Sequence, residues 1–320
     1  MKELSKENAS WHEVGAEAAG QRIDNYLMRL LKGVPKSHVY RILRSGEVRV
    51  NSGRVGPEHR LTAGDRLRLP PIRVAQRRRA PAPARGFEAA IVFEDETLLV
   101  LDKPAGVAVH GGSGVSSGVV EQLRAARPEA RFLELVHRLD RDTSGVLMLA
   151  KKRSTLTALH AQLRAGRVAK HYLVLVHGRW GNRRQNVRLP LVKRVSAGGE
   201  RRVGVEEGGQ VSHTIFTLRR SVREFSLLEA ELKTGRTHQI RVHLSHLGFP
   251  IAGDDKYGNF ALNKALASQG LKRMFLHAGK VEIVHPASGK AIAFEAPLPN
   301  ELEAFLNRTA TAPAEAPGSA

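Results

Sequence analysis

The stretch LELVHRLDRDTSGVLMLAKK (residues 133–152) places two apolar runs on either side of a compact group of charged side chains. That group lies within residues 137–142 and contains two arginines, two aspartates and a histidine. Charge at the edge of a core costs free energy unless it is paired or solvated. The pattern therefore predicts a strand, a loop and a second strand, and the loop is the first place to look for chemistry.

Short strands also predominate in the sequence around this stretch. Strands are predicted within residues 90–110, 169–180, 211–220, 225–235 and 291–297, and helices within 116–126, 154–166, 234–248 and 299–308. Ser154 is the expected N-cap of the second of these helices. Strands joined by hairpins and interrupted by helices predict an α+β domain over residues 88–308, with a mixed, largely antiparallel sheet.

A smaller α/β module is predicted over residues 20–72. Helical spacing begins at Ile23, Ser37 is placed to cap a second helix, and Gly46 is placed to end it. The predicted strands are residues 47–51 and 65–70, and the turn after the first strand is Ser52–Gly53. Residues 1–19 are polar and weakly patterned, and we expect them to form a frayed lead-in.

This module is strongly basic. Residues 21–70 contain eleven basic and four acidic side chains. Lys36, Arg41 and Arg44 lie around the second predicted helix, beside its apolar face. Phosphate contacts of this kind give affinity and carry little sequence information. The module is therefore predicted to supply non-specific contacts to a polyanion.

Two segments lack the pattern of a packed domain. Residues 73–87 are rich in Arg, Pro and Ala, which predicts an extended, semi-rigid linker. Its arginines are equally compatible with contacts to RNA and with a solvated spacer. Residues 309–320 are a low-complexity Ala and Pro segment, for which we expect disorder.

Composition narrows the class of protein. A chain of 320 residues with 42% hydrophobic residues is long enough for two domains. The net charge of +20 favours a polyanionic partner, nucleic acid above all, although a protein that simply uses arginine freely would have a similar balance. The absence of cysteine excludes disulfides and thiolate metal sites and is compatible with a cytoplasmic location. No apolar run is long enough to predict a membrane span.

Metal and nucleotide-phosphate sites are poorly supported. His238, His243 and His246 are clustered, but no HExxH pattern is present and arginines lie in the same segment, which disfavours a cation. The glycine-rich segment at residues 110–118 lacks the GK[ST] ending of a P-loop. We therefore expect no metal and no cofactor, and we interpret the glycine-rich segment as a mobile loop over a site.

The two aspartates of the central stretch differ in their expected roles. Asp142 precedes Thr-Ser-Gly, which favours a loop-stabilising aspartate. Asp140 follows an apolar run, so its carboxylate needs a cationic partner or a raised pKa. Arg241 is the most obvious distant candidate for that cation. From the residues alone, a structural salt bridge and a nucleophile held by an arginine both remain possible.

Four segments resemble the signature motifs of the RNA pseudouridine synthases, in the branch that modifies ribosomal RNA. They are DKPAG (102–106), HRLDRDTSG (137–145), KHYLV (170–174) and TGRTHQIRVHLSHLGFPIAGDDKYG (234–258). They occur in the order typical of that family. The region 21–70 resembles an S4 RNA-binding domain. The resemblance implies an isomerase that converts uridines of large-subunit (23S) ribosomal RNA, or of a large-subunit assembly intermediate, to pseudouridine without a cofactor.

The resemblance also implies roles for four residues. Asp140 takes the position of the catalytic aspartate, which attacks the flipped-out nucleotide at the ribose C1′ before the uracil rejoins through C5. Arg241 takes the position of the arginine that pairs with this aspartate. Tyr172 takes the position of a tyrosine that stacks on the uracil and assists removal of the C5 proton. Arg138 matches an arginine that fills the gap left by the flipped base.

Two other functions are compatible with parts of the sequence. A non-catalytic RNA-binding or ribosome-assembly factor could retain the fold, although it would have little reason to keep Asp140, Tyr172 and Arg241 together. A hydrolase could use Asp140 with Asp142, and it would release product with the addition of water. A monomer is the default expectation, and Lys103 and Pro104 are expected to shape a turn near the pocket.

Overall fold

The computed structural model describes residues 9–31, 34, 36–71, 87–111, 117–195 and 201–311. The chain divides into two compact units, an N-terminal unit (residues 1–83) and a C-terminal unit (residues 84–320). Within the described ranges no helix has the length and apolar character that a membrane crossing requires.

The N-terminal unit packs two helices on one face of a small antiparallel sheet. Its elements are β1 (Ser10–Glu13), α1 (Ile23–Leu30), α2 (Lys36–Arg44), β2 (Arg49–Val50), β3 (Gly53–Arg54) and β4 (Arg66–Leu69). The strand order is β1-β4-β2-β3. The apolar side chains of both helices pack with inward-facing residues of the sheet, and this core includes Ile23, Leu27, Val39, Ile42, Val50, Leu67 and Leu69.

The structure corrects the expected boundaries of this unit. The interpretation of residues 1–19 as a frayed lead-in is wrong for residues 10–18, because β1 pairs along the whole of β4 and Ala18 is fully buried. Helix α2 begins at Lys36, so Ser37 lies inside its first turn and is not its cap. The turn after β2 is Asn51–Ser52, one residue earlier than predicted, and both residues have positive φ angles.

The C-terminal unit is built around one large sheet. Its elements are β5 (Ile91–Glu94), β6 (Leu98–Lys103), α3 (Val119–Ala126), β7 (Glu134–Leu135), β8 (Ser144–Ala150), α4 (Arg153–Arg164), β9 (Ala169–His177), β10 (Arg184–Val195), β11 (Arg201–Val205), β12 (Gln210–Val222), β13 (Phe225–Leu232), α5 (Gln239–His246), α6 (Phe260–Ser268), β14 (Leu276–Val284), β15 (Ala291–Glu295) and α7 (Asn300–Thr311). The strand order is β11-β10-β12-β13-β9-β14-β8-β6-β5, with β15 beside β14 and β7 beside β8.

The predicted fold class is confirmed. The pairs of this sheet are antiparallel except for β14 and β8, which run parallel where His277 lies beside Ser144 and Ala278 beside Gly145. That pair lies near the centre of the sheet, and β8 begins shortly after the charged group at residues 137–142. The sheet therefore presents this stretch next to residues that are more than a hundred positions away in sequence.

Several elements of the C-terminal unit escaped the sequence prediction, most importantly β14 at the centre of its sheet. A register shift between His277 and Lys280 interrupts the alternation of buried and exposed side chains, so the segment has no clean period of two. The others are β10, β11 and α6. Helix α6 carried a readable signal, because the side chain of Asn259 accepts a hydrogen bond from the backbone N–H of Leu262 as an N-cap.

Some boundaries in this unit also differ from expectation. Helix α4 begins at Arg153, so Ser154 is its second residue and makes no cap. Helix α7 continues to Thr311, three residues into the segment expected to be disordered. Phe87 is buried in the core of the C-terminal unit, although the linker was expected to include it. The rest of the predicted linker and tail, and residues 112–116 of the glycine-rich loop, lie outside the described residues.

Candidate active site

The loop that carries Asp140 joins β7 to β8, and its last residues fix its position. The backbone N–H of Thr143 donates to the carbonyl oxygen of Asp140 at 3.2 Å. Gly145 has φ +108°, and a Cβ atom at this position would collide with the carbonyl oxygen of Ala278 on β14. Glycine therefore allows β8 to run against β14 immediately after the loop.

Lys103 anchors the same loop by a hydrogen bond to its backbone. The side chain is fully buried, and its ammonium group donates to the carbonyl oxygens of Pro104 (2.7 Å), Val107 (2.9 Å) and Arg141 (3.1 Å). Burial lowers the pKa of Lys103 to about 8. The DKPAG segment thus forms a turn, as expected, and Lys103 ties that turn to the residue that follows Asp140.

A buried chain of hydrogen bonds continues behind the loop. The carbonyl oxygen of Ala296 lies 3.0 Å from Nε2 of His277, so Nε2 carries the proton and Nδ1 is the acceptor. Ser144 then donates its hydroxyl proton to Nδ1 at 2.9 Å, and Arg273 donates to the same hydroxyl oxygen at 2.7 Å. This chain of hydrogen bonds fixes the position of Ser144, the first residue of β8.

Arg241 bridges two carboxylates. Its Nη1 lies 3.2 Å from Oδ2 of Asp140, and its Nε and Nη2 make a two-point pair with Asp254 at 2.8 and 2.7 Å. The Arg241 and Asp254 side chains are 5% and 1% exposed, whereas Asp140 is 26% exposed. Burial opposes the charge of Arg241, but the two aspartates outweigh it and raise its pKa. The expected Asp140–Arg241 contact is present, with Asp140 as the accessible end of the bridge.

Asp254 and Tyr257 are site residues that sequence reasoning missed. Burial acts to raise the pKa of Asp254, but the Arg241 guanidinium and two backbone N–H groups lower it. Those donors are Lys256 at 2.8 Å and Tyr257 at 3.0 Å. An aspartate whose side chain bonds backbone N–H groups two and three residues ahead is a recognisable turn signal. The GDDKYG segment therefore predicts a turn stabilised by this aspartate. Nothing in the local sequence indicates that the same carboxylate also accepts hydrogen bonds from Arg241.

His238 and Tyr257 close one side of the bridge. The hydroxyl of Tyr257 accepts from the backbone N–H of Val203 at 3.0 Å and is hydrogen-bonded to Nδ1 of His238 at 2.8 Å. Nε2 of the same ring lies 3.9 Å from Oδ1 of Asp140. Burial lowers the pKa of His238 despite the charge of Asp140. The guanidinium of Arg241 lies 5.1 Å from the centre of the Tyr257 ring, a stabilising cation–π contact.

The bridge opens into a cleft of about 940 Å³. Four sequence-predicted residues form part of its wall: Arg138, Asp140, Tyr172 and Arg241. Other basic side chains of the lining are Arg124, Arg164, Lys170, Lys233 and Arg236. A cleft with an accessible carboxylate and a cationic lining suits an anionic substrate.

Tyr172 lies on β9, opposite Ala230 on β13. Its side chain is 7% exposed. Burial and the nearby charge of Asp140 raise the pKa of Tyr172, so the phenol stays protonated near neutral pH. Its chemistry in this state is that of a flat apolar surface with a hydroxyl donor.

Asp142 does not share the cleft of Asp140. Its carboxylate pairs with Arg141 at the surface, at 3.0 Å, and lines a separate cleft of about 1110 Å³. A hydrolase built on the two aspartates would need them to face one substrate. The geometry therefore gives no support to that alternative.

The predicted phosphate-contacting residues belong to the N-terminal unit and form a separate group. Lys36 is the first residue of α2, and the structure does not describe its side chain. Arg41 is exposed and pairs with Glu47 at 3.3 Å, and the exposed Arg44 donates to the carbonyl oxygen of Tyr40. Both arginines are accessible to a polyanion.

The histidine cluster at residues 238–246 is not arranged as a metal site. His243 is fully buried and donates from Nε2 to the hydroxyl of Ser212 at 2.7 Å, because that hydroxyl itself donates to the carbonyl oxygen of Leu189. His246 is exposed, and His238 faces Tyr257. Among the described residues, no group of three or more acidic, histidine or cysteine side chains could hold a metal ion.

Two histidines that the fold desolvates should make stability fall in mild acid. Burial lowers the pKa of His137 to about 3 and of His243 to about 4. Since both groups titrate near pH 6.5 when unfolded, only the unfolded chain binds these protons between pH 6.5 and pH 4. The free energy of unfolding should therefore fall as the pH falls through this window, by up to about 1.4 kcal/mol per pH unit for each histidine.

Urea unfolding at a series of pH values measures this dependence. The variant His243→Gln should have a smaller slope than the wild type, whereas His246→Gln, at an exposed position, should keep the full slope. Equal wild-type stability at pH 7 and pH 4.5 would contradict the prediction.

Comparison with known proteins adds the family context. The family described as RNA pseudouridylate synthase matches residues 97–246, and the S4 domain matches residues 21–67. "Ribosomal large subunit pseudouridine synthase C" from Yersinia pestis is 53% identical over 298 residues, which cover 92% of this chain and 93% of that protein. The protein of the same name from Escherichia coli (strain K12) is 52% identical over 302 residues, covering 92% and 95%. The solved structure "Human RNA Pseudouridylate Synthase Domain Containing 4" is 26% identical with a TM-score of 0.58, and the match covers 69% of this chain and 93% of that one.

Proposed function

This chain belongs to the RNA pseudouridylate synthase family, and from that premise we propose that it converts uridines of large-subunit ribosomal RNA to pseudouridine, with Asp140 as the nucleophile. The enzyme is an isomerase, since pseudouridine contains the same atoms as uridine. The observation that carries the assignment of Asp140 is its position as the accessible carboxylate of a buried aspartate–arginine–aspartate bridge. Relatives that match nearly the whole chain and are named for the large ribosomal subunit support the substrate.

The proposed reaction moves one glycosidic bond. The Asp140 carboxylate bonds to C1′ of the flipped-out nucleotide as the C1′–N1 bond breaks and the electron pair leaves with the uracil. The uracil turns, C5 bonds to C1′ as the aspartate leaves, and the C5 proton is lost as a proton is gained at N1. Arg241 supports this role because its guanidinium stabilises the carboxylate charge, and Asp254 holds that guanidinium in place by a two-point pair.

Two further residues of the cleft have proposed roles in binding the nucleotide. Tyr172 offers a buried aromatic surface on which the uracil can stack. Its raised pKa disfavours a phenolate, so the structure supports stacking better than removal of the C5 proton by this residue. Arg138 is exposed at the edge of the cleft, where its guanidinium plane can offset part of the stacking energy lost when the base leaves the helix.

Mapping of pseudouridine in ribosomal RNA tests the function directly. Ribosomal RNA from cells with and without the gene should differ at specific uridines of the large-subunit RNA. The purified protein should restore those sites in RNA from cells that lack the gene. Unchanged pseudouridine positions would contradict the proposed substrate.

We propose, in addition, that the enzyme works as a monomer in the cytoplasm, where this RNA is found.

Removal of the N-terminal unit should weaken RNA binding and its dependence on salt. Each phosphate contact that is lost lowers the magnitude of the slope of log K against log salt by about 0.7 to 0.9. A chain that begins at residue 84 should therefore bind more weakly at 50 mM salt and show a flatter slope. The paired change Arg41→Gln with Arg44→Gln in the full chain should reproduce part of this effect. An unchanged slope in both proteins would mean that this unit is not the electrostatic anchor.

A further inference from the structure

The sheet of the N-terminal unit has an inner face against the helices and an outer face in solvent. Along β4 the side chains of Leu67 and Leu69 are buried, and the arginines between and before them are not. Residues directly opposite across an antiparallel pair lie on the same face. The outer face therefore carries Trp11 and Glu13 from β1, Arg49 from β2, Arg54 from β3, and Arg66 and Arg68 from β4.

Trp11 is the aromatic centre of this face. It is 50% exposed, which is unusual for so large an apolar side chain on a strand. The guanidinium of Arg66 lies 5.3 Å from the ring centre and holds the indole in place by a cation–π contact. Half of the indole surface nevertheless remains in contact with water. An accessible aromatic ring next to cations is the arrangement on which unpaired bases stack.

The arrangement of the arginines on the outer face destabilises the sheet by repulsion between like charges. Arg49 lies directly opposite both Arg68 and Arg54, and like charges opposite one another destabilise a sheet. Glu13 lies opposite Arg66 and offsets one of the four charges. The remaining positive charge is complementary to a phosphate backbone, which would remove the repulsion on binding.

We propose that the outer face binds an unpaired strand of RNA, with one base stacked on Trp11 and the phosphates placed on Arg49, Arg54 and Arg68. The inference rests on the proposed function in taking RNA as the partner, and it adds a second RNA-binding surface. Helix α2, with Arg41 and Arg44, packs on the inner face, so the two surfaces are on opposite sides of this sheet. The strand is unpaired because a duplex keeps the faces of its bases stacked internally and out of reach of an indole.

The test uses the full chain and a labelled twelve-nucleotide oligouridylate, with an RNA duplex of the same length as the comparison. Trp11→Leu should weaken oligouridylate binding by roughly tenfold and leave duplex binding nearly unchanged. Trp11→Phe should keep most of the affinity, because a smaller ring still stacks. The chain has two tryptophans, and the other, Trp180, is buried. Oligouridylate should therefore quench the emission of the wild type, and this quenching should disappear in Trp11→Leu.

A charge variant separates binding from a structural role. Arg54→Gln should reduce the magnitude of the salt slope for oligouridylate by about 0.7 without lowering the melting temperature, because it relieves a like-charge pair. Two exposed positions of the C-terminal unit serve as matched controls: Phe260→Leu and Lys290→Gln should bind as the wild type does.

Two outcomes would overturn the proposal. The first is wild-type affinity and unchanged quenching in Trp11→Leu. The second is an equal loss of oligouridylate and duplex binding, which would make the outer face a general phosphate contact. Failure of the proposed function is a separate result, since it would appear as absent pseudouridine with the wild-type protein, whatever residue occupies position 11.

Discussion

Replacement of Asp140 by Asn is expected to abolish pseudouridine formation and to leave the fold intact. The amide has the size of the carboxylate, but it cannot attack C1′, so we expect a loss of at least about 10⁴-fold in rate. Arg241 keeps its two-point pair with Asp254 in this variant, and its buried charge therefore remains compensated. Pseudouridine in a large-subunit RNA transcript, measured against time with purified protein, gives the rate, and circular dichroism reports the fold.

Asp142→Asn is the matched control for this experiment. Asp142 is two positions away in the same loop, but it pairs with Arg141 at the surface and lines a different cleft. Its variant should keep activity close to that of the wild type. Product above a trace rate from purified Asp140→Asn would remove Asp140 from the proposed role, and equal losses in both variants would indicate that the loop has merely been disturbed.

Arg241→Met should give the largest loss of stability of any single change in the cleft. Without the guanidinium, Asp254 is a buried carboxylate with no cation, and Asp140 loses its partner as well. Removing one member of a buried ion pair typically costs about 3–5 kcal/mol. The free energy of unfolding from urea titration should fall by about this amount, and activity per folded molecule should fall with it.

Two further variants separate the contributions of Arg241. Adding Asp254→Asn to Arg241→Met removes the uncompensated charge, so the double variant should recover part of the stability but not the activity. Arg236→Met changes an exposed arginine of the same segment and should alter the unfolding free energy by no more than about 0.5 kcal/mol. Wild-type stability of Arg241→Met would contradict the buried bridge. Loss of RNA binding by the double variant would instead make Arg241 a phosphate contact.

Local sequence patterns were sufficient to predict many of the helices and strands. The helical spacing from Ile23, the strand pair within residues 211–235 and the loop at residues 137–143 are all visible in short windows of sequence, because burial of alternate or every third to fourth side chain leaves a periodic trace. Strand β1 was missed because its one apolar side chain, Trp11, is exposed and the other three residues are polar. Strand β14 was missed because a bulge breaks its alternation.

Some features of the candidate site, likewise, are readable in the local sequence and others are not. The sequence by itself determined that a charged loop lies between two apolar strands and that Asp140 needs a cationic partner or a raised pKa. Only the tertiary structure decided how that need is met. The parallel pairing of β8 with β14 and the packing of α5 bring Arg241 to Asp140 and place Asp254 behind it. Charges so far apart in sequence leave no local signal of their pairing, since the free energy that selects one partner arises only when both groups are buried together.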